Sequence, residues 1–331
     1  MMTTPFKDYI NMVGRGQRAG KTLSQQQAYD AMSQILQGKV LPEQLGAFLM
    51  LLRVREETAE ELAGFTQACR EYVEPEFSQI QADLDIGCYA GKRRHLPWFM
   101  LAIMALGQSG IKITIHGTSE PDSNRLYIKE ALAFFGFTAA KSAEQVEQQL
   151  NQFGFSYLDL ATIHPKLDDL IQLRALFGLR SPANTLARML NPFKANHSLH
   201  GVHHRNFDLR HVAAAQLCND EHVVCFRGEG GEVEFNPERK VLVHSSRSGV
   251  NSEVEMPALL EGWQIKPREL NLAELKQFWL NEIDNPYGEQ AVIGTMAIVL
   301  ILLKQLDAEE ALTQAKTIWQ SRSSTWPFDK N

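Results

Sequence analysis

The residues best suited to chemistry lie in a turn that follows a short apolar run, LDIG. The turn consists of Gly87, Cys88, Tyr89, Ala90 and Gly91, and it is followed by Lys92, Arg93, Arg94 and His95. Glycines after a parallel strand let backbone N–H groups approach a phosphate, and a helix beginning near Pro97 would add the positive end of its dipole. This pattern predicts a phosphate site. An ordinary strand-to-helix turn is the alternative, because Tyr89 and Ala90 are bulky for a tight cradle.

The charge pattern favours the phosphate site. No acidic residue lies between Asp85 and Glu120, whereas Lys92, Arg93, Arg94 and Lys112 lie within that interval. We expect these cations at the carboxyl ends of parallel strands, where ligands bind in such sheets. A second basic region runs from 164 to 211 and includes Arg174, Arg188, Lys194 and Arg205. A solvated charged face is the simpler alternative for both regions.

A glycine-containing segment near the N-terminus, GRGQRAGKT at 14–22, resembles a phosphate-binding P-loop without matching it. Arg15 stands where that motif needs glycine, and a helix precedes the segment where a strand is needed. We interpret it as a solvated loop between helices. Its cations Arg15, Arg18 and Lys21 still make it a candidate edge for binding an anion.

Two further groups of residues raise the question of a metal. Glu229, Glu232 and Glu234 lie in a glycine-rich loop after the run VVCF, where Mg²⁺ shared with a diphosphate could bind; an exposed turn is the alternative. His197, His200, His203 and His204 invite a zinc site, but no cysteine or carboxylate completes the ligand set nearby. We interpret these histidines as loop residues or polar contacts to an anion. No Ser/His/Asp or Cys/His nucleophile set is indicated.

Composition sets the broad class. The chain has 331 residues with 44% hydrophobic and 22% charged ones, and its formal net charge is −6. Nucleic-acid binding therefore requires a local basic surface. Its four cysteines show no CxxC spacing, which predicts a reducing, cytoplasmic location. We expect no secretory signal and no membrane partner, and we expect the apolar stretch 291–303 to form a buried helix, since spanning a bilayer takes about 20 residues.

The periodicity predicts two kinds of structure. Residues 6–72 are helical, with capping boxes at Ser24 and Thr58 and a helix start at Pro42. From residue 84, short apolar runs alternate with helical stretches, which is typical of an α/β domain with a mostly parallel sheet. Helical periodicity returns at 166–190. We predict a small all-helical domain from 1–72 and 166–192, and a larger α/β domain from 73–165 and 193–331.

At this level the chain resembles a known family. Residues 23–71 are similar to the N-terminal helical domain of the anthranilate phosphoribosyltransferases and the class II nucleoside phosphorylases. The segments LDIG, HGTSE, IHPKL, RALFGLRSPANTLARMLNP and GVH, and the loop around Gly231, follow in the family's order. The resemblance implies the class II phosphoribosyltransferase fold, an active cleft at the hinge between the domains, and a homodimer formed through the helical domain.

The family's functional motifs are retained only in part. Its phosphoribosyl-diphosphate loop, GTGGD, corresponds to 87–91, and the asparagine and hydroxyl residue that follow correspond to His95 and Pro97. Its KHGN motif keeps His116 and Gly117 but has Thr118 in place of asparagine. The Asp-Glu pair that binds Mg²⁺ corresponds to Val233 and Glu234, so Glu234 is the candidate metal ligand. The arginine for the anthranilate carboxylate is retained as Arg174, and the Gly-Pro of the substrate tunnel reads Ala187 and Arg188.

These departures make ordinary anthranilate phosphoribosyltransferase activity improbable, because the diphosphate cradle and the Mg²⁺ ligands supply transition-state stabilisation. They are similar to those of the YbiB-type branch, which the family resemblance associates with nucleic-acid binding by a dimer. We predict non-specific binding of nucleic acid; the candidate contacts are Arg15, Arg18, Lys21, Lys92, Arg93, Arg94, Arg188, Lys194 and Arg205. The alternative is a phosphoribosyl or glycosyl transferase that uses Mg²⁺ on an unknown acceptor, so the sequence leaves open whether the chain is an enzyme.

Overall fold

One mixed sheet organises the larger domain. The computed structural model describes residues 4–15, 21–120 and 123–329. Its strands are β1 (Leu84–Cys88), β2 (Ile113–Gly117), β3 (Phe155–Asp159), β4 (His197–Val202), β5 (His222–Arg227), β6 (Val241–Arg247) and β7 (Val250–Met256). They are ordered β3-β2-β1-β4-β5-β6-β7; β1 to β5 are parallel, and β6 and β7 are antiparallel. The carboxyl ends of five strands therefore share one edge, and the predicted mostly parallel sheet is confirmed.

The helices fall into two groups. Those of the N-terminal region are α1 (Phe6–Gly14), α2 (Gln25–Leu36), α3 (Pro42–Arg55) and α4 (Ala59–Arg70). The others are α5 (Phe99–Gln108), α6 (Ile128–Phe134), α7 (Ala143–Phe153), α8 (Leu160–Ile163), α9 (Pro165–Gln172), α10 (Arg174–Phe177), α11 (Ala183–Arg188), α12 (Phe207–Leu217), α13 (Ala273–Trp279), α14 (Pro286–Lys304) and α15 (Ala308–Ser321). Ser24 and Thr58 form the predicted capping boxes, and Pro42 opens α3.

Helix α14 is the centre of the larger core. It is longer than the predicted stretch 291–303, because Asn285 caps it and Pro286 fixes its first turn. Its length and composition would suit a membrane span, but most of it is buried inside the protein. The Thr295 hydroxyl accepts a hydrogen bond from Phe235 N at 2.9 Å. Helix α14 therefore packs as a core helix, together with α5 and the sheet.

A second core lies in the helical domain. It contains Phe48 and Leu62 from the N-terminal helices and Leu167, Ile171 and Leu186 from α9 and α11. The two chain segments therefore share one buried cluster. The boundaries drawn from the sequence stay a prediction.

Arg70 joins this helical layer to the sheet layer. Its guanidinium donates to both carboxylate oxygens of Asp220 at 2.6 and 2.9 Å, and to the carbonyls of Met189 and Leu190 at 2.7 and 3.0 Å. Asp220 lies in the turn between α12 and β5. These contacts hold α4 against the turn at the amino end of β5.

Candidate functional site

The turn after β1 lies at the carboxyl edge of the sheet, as predicted. Gly87 is needed because α11 passes so close that a Cβ at this position would lie 2.9 Å from Arg188 Cα. Gly91 has φ +69°, a conformation that favours glycine. The amides of Ala90 and Gly91 both donate to Glu232 Oε1, at 2.8 and 2.5 Å. The turn thus binds an anion through its backbone, and that anion is a carboxylate of the chain itself.

A second carboxylate of the same loop takes the next amide. Glu234 Oε2 accepts from Phe99 N, in the first turn of α5, at 2.9 Å. This is the position where the positive end of a helix attracts an anion. Glu234 Oε1 accepts from Lys92 Nζ at 2.5 Å, and Lys92 also pairs with Glu229. We call Lys92, Glu229 and Glu234 the buried ion cluster.

Two members of the buried ion cluster are shielded from water, and the side chain of the third, Glu229, is 12% exposed. The side chain of Lys92 is 1% exposed and that of Glu234 is fully buried. Burial alone lowers the pKa of Lys92, but Glu234 and Glu229 outweigh it and hold that pKa above its usual value. Burial raises the pKa of Glu234 to about 7, although Lys92 opposes the change. Lys92 was expected to contact nucleic-acid phosphate, and the structure contradicts this because its ammonium is enclosed.

The residues present do not fit Mg²⁺. Both oxygens of the candidate ligand Glu234 are engaged, and the ammonium of Lys92 lies between it and Glu229. Over residues 4–15, 21–120 and 123–329, no three His, Cys, Asp or Glu side chains form a group that could hold a metal ion. The alignment of Glu234 with a metal-binding motif therefore does not carry over to a metal site here.

His95, which replaces the family's asparagine, and His116, which is retained, both make internal contacts. His95 stacks on Tyr287 with ring centroids 3.9 Å apart, and burial lowers its pKa to about 4, so it is neutral at pH 7. His116 Nδ1 lies 2.5 Å from the hydroxyl of Tyr89, and His116 Nε2 lies 3.2 Å from Asp85. Both rings are therefore held by neighbouring side chains.

The other motif residues are also engaged. A Cβ on Gly117 would lie 2.5 Å from the carbonyl oxygen of Cys88, so this glycine permits the close contact of β2 with β1. Thr118 Oγ1 accepts a hydrogen bond from Gln172 at 3.3 Å. Cys88 is buried, and burial raises the pKa of its thiol well above the usual value. A thiolate at Cys88 is therefore disfavoured.

Glu120 is a hub that sequence reasoning missed. Arg174 and Arg180 both pair with its carboxylate, the latter at 2.7 Å, and Asn184 Nδ2 donates to it at 2.8 Å. Burial raises the pKa of Glu120, but Arg180 outweighs this and lowers it. Arg174 was expected to bind an acceptor carboxylate, and here it binds this internal one. The sequence offered one signal for this role: Glu120 is the first acidic residue after Asp85, so it follows a stretch that contains only basic charges.

A cavity of 320 Å³ opens beside this hub, between the helical domain and the strand ends. Its lining includes five arginines and two glutamates: Arg53, Arg125, Arg174, Arg180, Arg188, Glu56 and Glu57. Arg188 is 9% exposed, its Nε has no hydrogen-bond partner, and burial lowers its pKa. Arg188 therefore lies at the floor of an anion-attracting cavity, and not on the surface that its assignment as a nucleic-acid contact required.

The remaining nucleic-acid candidates are divided between the two edges of the sheet. Arg93, Arg94 and Arg205 are exposed beside the carboxyl ends of β1 and β4. Lys112 and Lys194 are also exposed, but they precede β2 and β4 and so lie at the opposite edge. For Lys112 this is contrary to expectation. Arg15 and Lys21 are exposed on the helical domain, and Arg18 lies outside the described residues.

The histidines of the 197–211 region do not converge. His197 pairs with His222 across β4 and β5, whereas His200 is buried against His211 with their Nδ1 atoms 3.4 Å apart. Burial lowers the pKa of His200 to about 3. His203 and His204 are exposed beyond the end of β4. These positions agree with polar loop and core histidines.

A helical bundle beside a mostly parallel sheet, with its cleft at the strand ends, defines the class II phosphoribosyltransferase fold. Residues 7–73 match the family model described as "Glycosyl transferase family, helical bundle domain". The crystal structure of anthranilate phosphoribosyltransferase (TrpD) from Thermus thermophilus superposes with a TM-score of 0.77 at 21% identity, covering 96% of this chain and 94% of that one.

Sequence relatives point the same way. Anthranilate phosphoribosyltransferase of Polynucleobacter asymbioticus is 28% identical over 262 residues, 77% of this chain and 76% of its own. The uncharacterized protein YbiB of Escherichia coli is 25% identical over 241 residues, 71% of this chain and 74% of its own. The family-model match, these relatives and the shared fold together support a TrpD-like superfamily member.

Removal of the Lys92 cation should destabilise the fold. In Lys92→Met, Glu229 and Glu234 remain buried without a counterion, so we expect the free energy of unfolding in urea to fall by about 3–5 kcal/mol. Lys240→Met breaks an exposed ion pair with Glu255 and should cost less than about 1 kcal/mol. Adding Glu234→Gln to Lys92→Met should recover part of the loss. If Lys92→Met and Lys240→Met lowered the free energy of unfolding equally, the conclusion that the Lys92 ammonium is buried and paired would be wrong.

Glu57 should make stability depend on pH. It lines the cavity, it is 4% exposed, and burial raises its pKa to about 7 from 4.5. The folded state then keeps a proton that the unfolded state releases, so its contribution is complete below pH 4.5 and is lost as the pH rises towards 7.

In Glu57→Gln this loss disappears. The unfolding free energy of the variant relative to the unmodified protein should increase between those pH values, by up to about 3 kcal/mol, and stay constant above them. Glu60→Gln, at an exposed carboxylate of α4, is the control. A pH-independent difference for Glu57→Gln would show that Glu57 ionises normally.

Proposed function

We propose that the protein binds nucleic acid with little sequence preference, through phosphate contacts at the carboxyl edge of the sheet. The observation that carries the proposal is that Glu232 fills the backbone anion site of the Gly87–Gly91 turn, while Arg93, Arg94 and Arg205 beside it remain exposed. The turn that corresponds to the family's diphosphate loop is therefore occupied by Glu232, and exposed arginines lie around it. Phosphate contacts from arginine fix a backbone without reading bases.

The electrostatics agree with a weak and salt-sensitive interaction. The net charge of −6 repels a polyanion at long range, so binding has to come from the local basic edge. Inside the neighbouring cavity, Arg125 donates to the carbonyls of Ala90 and Gly91 at 2.8 and 3.1 Å. These contacts hold the guanidinium of Arg125 next to the turn, so its positive charge adds to that of the exposed Arg93 and Arg94.

We also propose a cytoplasmic homodimer formed through the helical domain. Val54 on α3 is 83% exposed and Leu176 on α10 is 81% exposed, and Leu41 and Leu179 are more than half exposed. Large apolar side chains left in water on one domain support an interface there. A two-fold dimer presents two basic edges, which would lengthen the tract of phosphates that one particle contacts.

The competing function is a phosphoribosyl or glycosyl transferase. It is supported by the shared fold and by Arg174, which faces the cavity. Binding of phosphoribosyl diphosphate would require Glu232 to release two amides and Lys92 to leave two carboxylates. The structure is therefore less suited to this reaction than to binding a polyanion from outside.

Isothermal titration calorimetry distinguishes the two functions. With phosphoribosyl diphosphate and Mg²⁺ at about 1 mM each, we expect only the heat of dilution, because the anion and cation positions are filled from within the chain. Heat that fits a dissociation constant in the micromolar range and that requires Mg²⁺ would favour the transferase.

Oligonucleotide binding tests the proposed function directly. Fluorescence anisotropy with a labelled strand of about 20 nucleotides, from about 20 to about 200 mM salt, should show an affinity that falls steeply with salt. Arg93→Ala with Arg94→Ala should weaken binding about tenfold and lower the salt slope by between about 1 and 2.

The matched control removes the same charge from the opposite edge. Lys112→Ala with Lys194→Ala should leave affinity and slope unchanged. Equal losses in the two double variants would show that only net charge matters. Affinity no better than about millimolar at low salt would reject nucleic-acid binding.

A further inference from the structure

One loop exposes an aromatic residue that the fold does not use. Residues 257–272 connect β7 to α13, and within them Trp263 is 76% exposed and Ile265 is 99% exposed. The chain has five tryptophans, and the other four, Trp98, Trp279, Trp319 and Trp326, are at most 4% exposed. Side chains this large are usually covered, so the pair marks a surface for contact with another molecule.

The loop is attached to the segment that follows the buried ion cluster. Leu259 N and Leu260 N donate to the carbonyl of Pro237 at 2.9 and 3.0 Å, and Gln264 N donates to Glu238 Oε1 at 2.6 Å. Pro237 and Glu238 lie shortly after Glu234 in the chain, beyond Phe235 and Asn236. The loop that bears the exposed indole is therefore hydrogen-bonded to the chain segment that leaves the candidate site.

A cation lies beside the indole. Lys266 Nζ lies 5.9 Å from the ring centroid of Trp263. Burial is the main cause of the lowered pKa of His95, and the charge of Lys266 adds to it, so Lys266 is within electrostatic range of the Lys92–His95 turn. Within the loop 261–269, Glu261 and Glu269 balance the charges of Lys266 and Arg268, so Arg93 and Arg94 of the β1 turn supply the excess positive charge.

We propose that Trp263 is a stacking platform for an unpaired base, and that the loop 261–269 makes the protein prefer single-stranded over double-stranded nucleic acid. This inference rests on the proposed function and names its ligand class. Bases in a duplex already stack on each other, whereas an unpaired base offers its π-face to an indole. Ile265 extends the apolar contact, and Lys266 with Arg93 and Arg94 holds the adjoining phosphates.

Charge complementarity favours this ligand over a protein or a membrane. Lys266 lies next to the indole, on a loop that follows β7 at the sheet edge where the backbone amides are filled by the chain's own carboxylates. An aromatic face combined with a basic track is the arrangement that binds single strands without sequence preference. A protein partner or an anionic lipid surface is kept as an outcome of the experiment.

Intrinsic fluorescence of the full chain provides the assay. Because Trp263 is the exposed tryptophan, acrylamide quenching reports on it selectively. A single-stranded thymidylate of about 20 nucleotides should shield Trp263 from acrylamide, whereas a duplex of equal length should shield it much less. Vesicles that contain phosphatidylserine serve as the comparison for an anionic surface.

The variants separate stacking from general contact. Trp263→Ala should weaken single-strand binding by about 10-fold or more and change duplex binding by less than about 2-fold. Trp263→Phe should retain most of the affinity, since a phenyl ring also stacks. Phe134→Ala removes an aromatic ring that is 57% exposed on α6 and should have no effect.

Each result decides a different question. If Trp263→Ala binds the single strand as tightly as the unmodified protein while Arg93→Ala with Arg94→Ala weakens it, the stacking inference is wrong and the proposed function stands. Equal losses for single strand and duplex, or shielding by vesicles and not by oligonucleotide, would also overturn it. If the unmodified protein binds neither oligonucleotide, both proposals are rejected.

Discussion

The buried ion cluster of Lys92, Glu229 and Glu234 is the constraint on which the site depends. Charges enclosed in protein are stable only when each is paired and hydrogen-bonded, and here the ammonium has two carboxylates and Glu234 also accepts from Phe99 N. These contacts connect the β1 turn, the start of α5 and the glycine-rich loop after β5. They fix the relative positions of the backbone amides of the β1 turn, of the exposed arginines that follow it, and of the segment 237–238 that contacts the 257–272 loop.

This arrangement explains how the superfamily's fold persists here with altered motifs. In the shared architecture, the backbone amides at the strand ends and at a helix start are positioned for an anion whether or not a ligand supplies it. Glu232 and Glu234 supply that anion from within the chain, and Lys92 supplies the cation. The two hydrophobic cores reach the site through residues such as Phe99, Val233 and Tyr89, and they are formed by the chain's own side chains.

Local sequence patterns predicted most of the fold, since strands such as LDIG, capping boxes and helix periodicity depend on near neighbours. The site was less predictable because its pairs are distant: Lys92 and Glu234 are 142 positions apart, and Arg180 and Glu120 are 60 apart. Lys112 was assigned to the wrong edge because a count of charges ignores strand direction. Helix α14 begins earlier than expected because its start is set by the Asn285 cap.

Arg70 has a consequence for how the cleft works. Its two hydrogen bonds to Asp220 join α4 to the larger domain, and its two bonds to Met189 and Leu190 join α4 to the second helical segment. A closing motion of the two domains would have to break the partly buried contact with Asp220. Enzymes that engulf a substrate need such mobility to exclude water. A rigid aperture instead suits a long, flexible ligand that passes across the opening, because the protein then loses little conformational entropy when it engages.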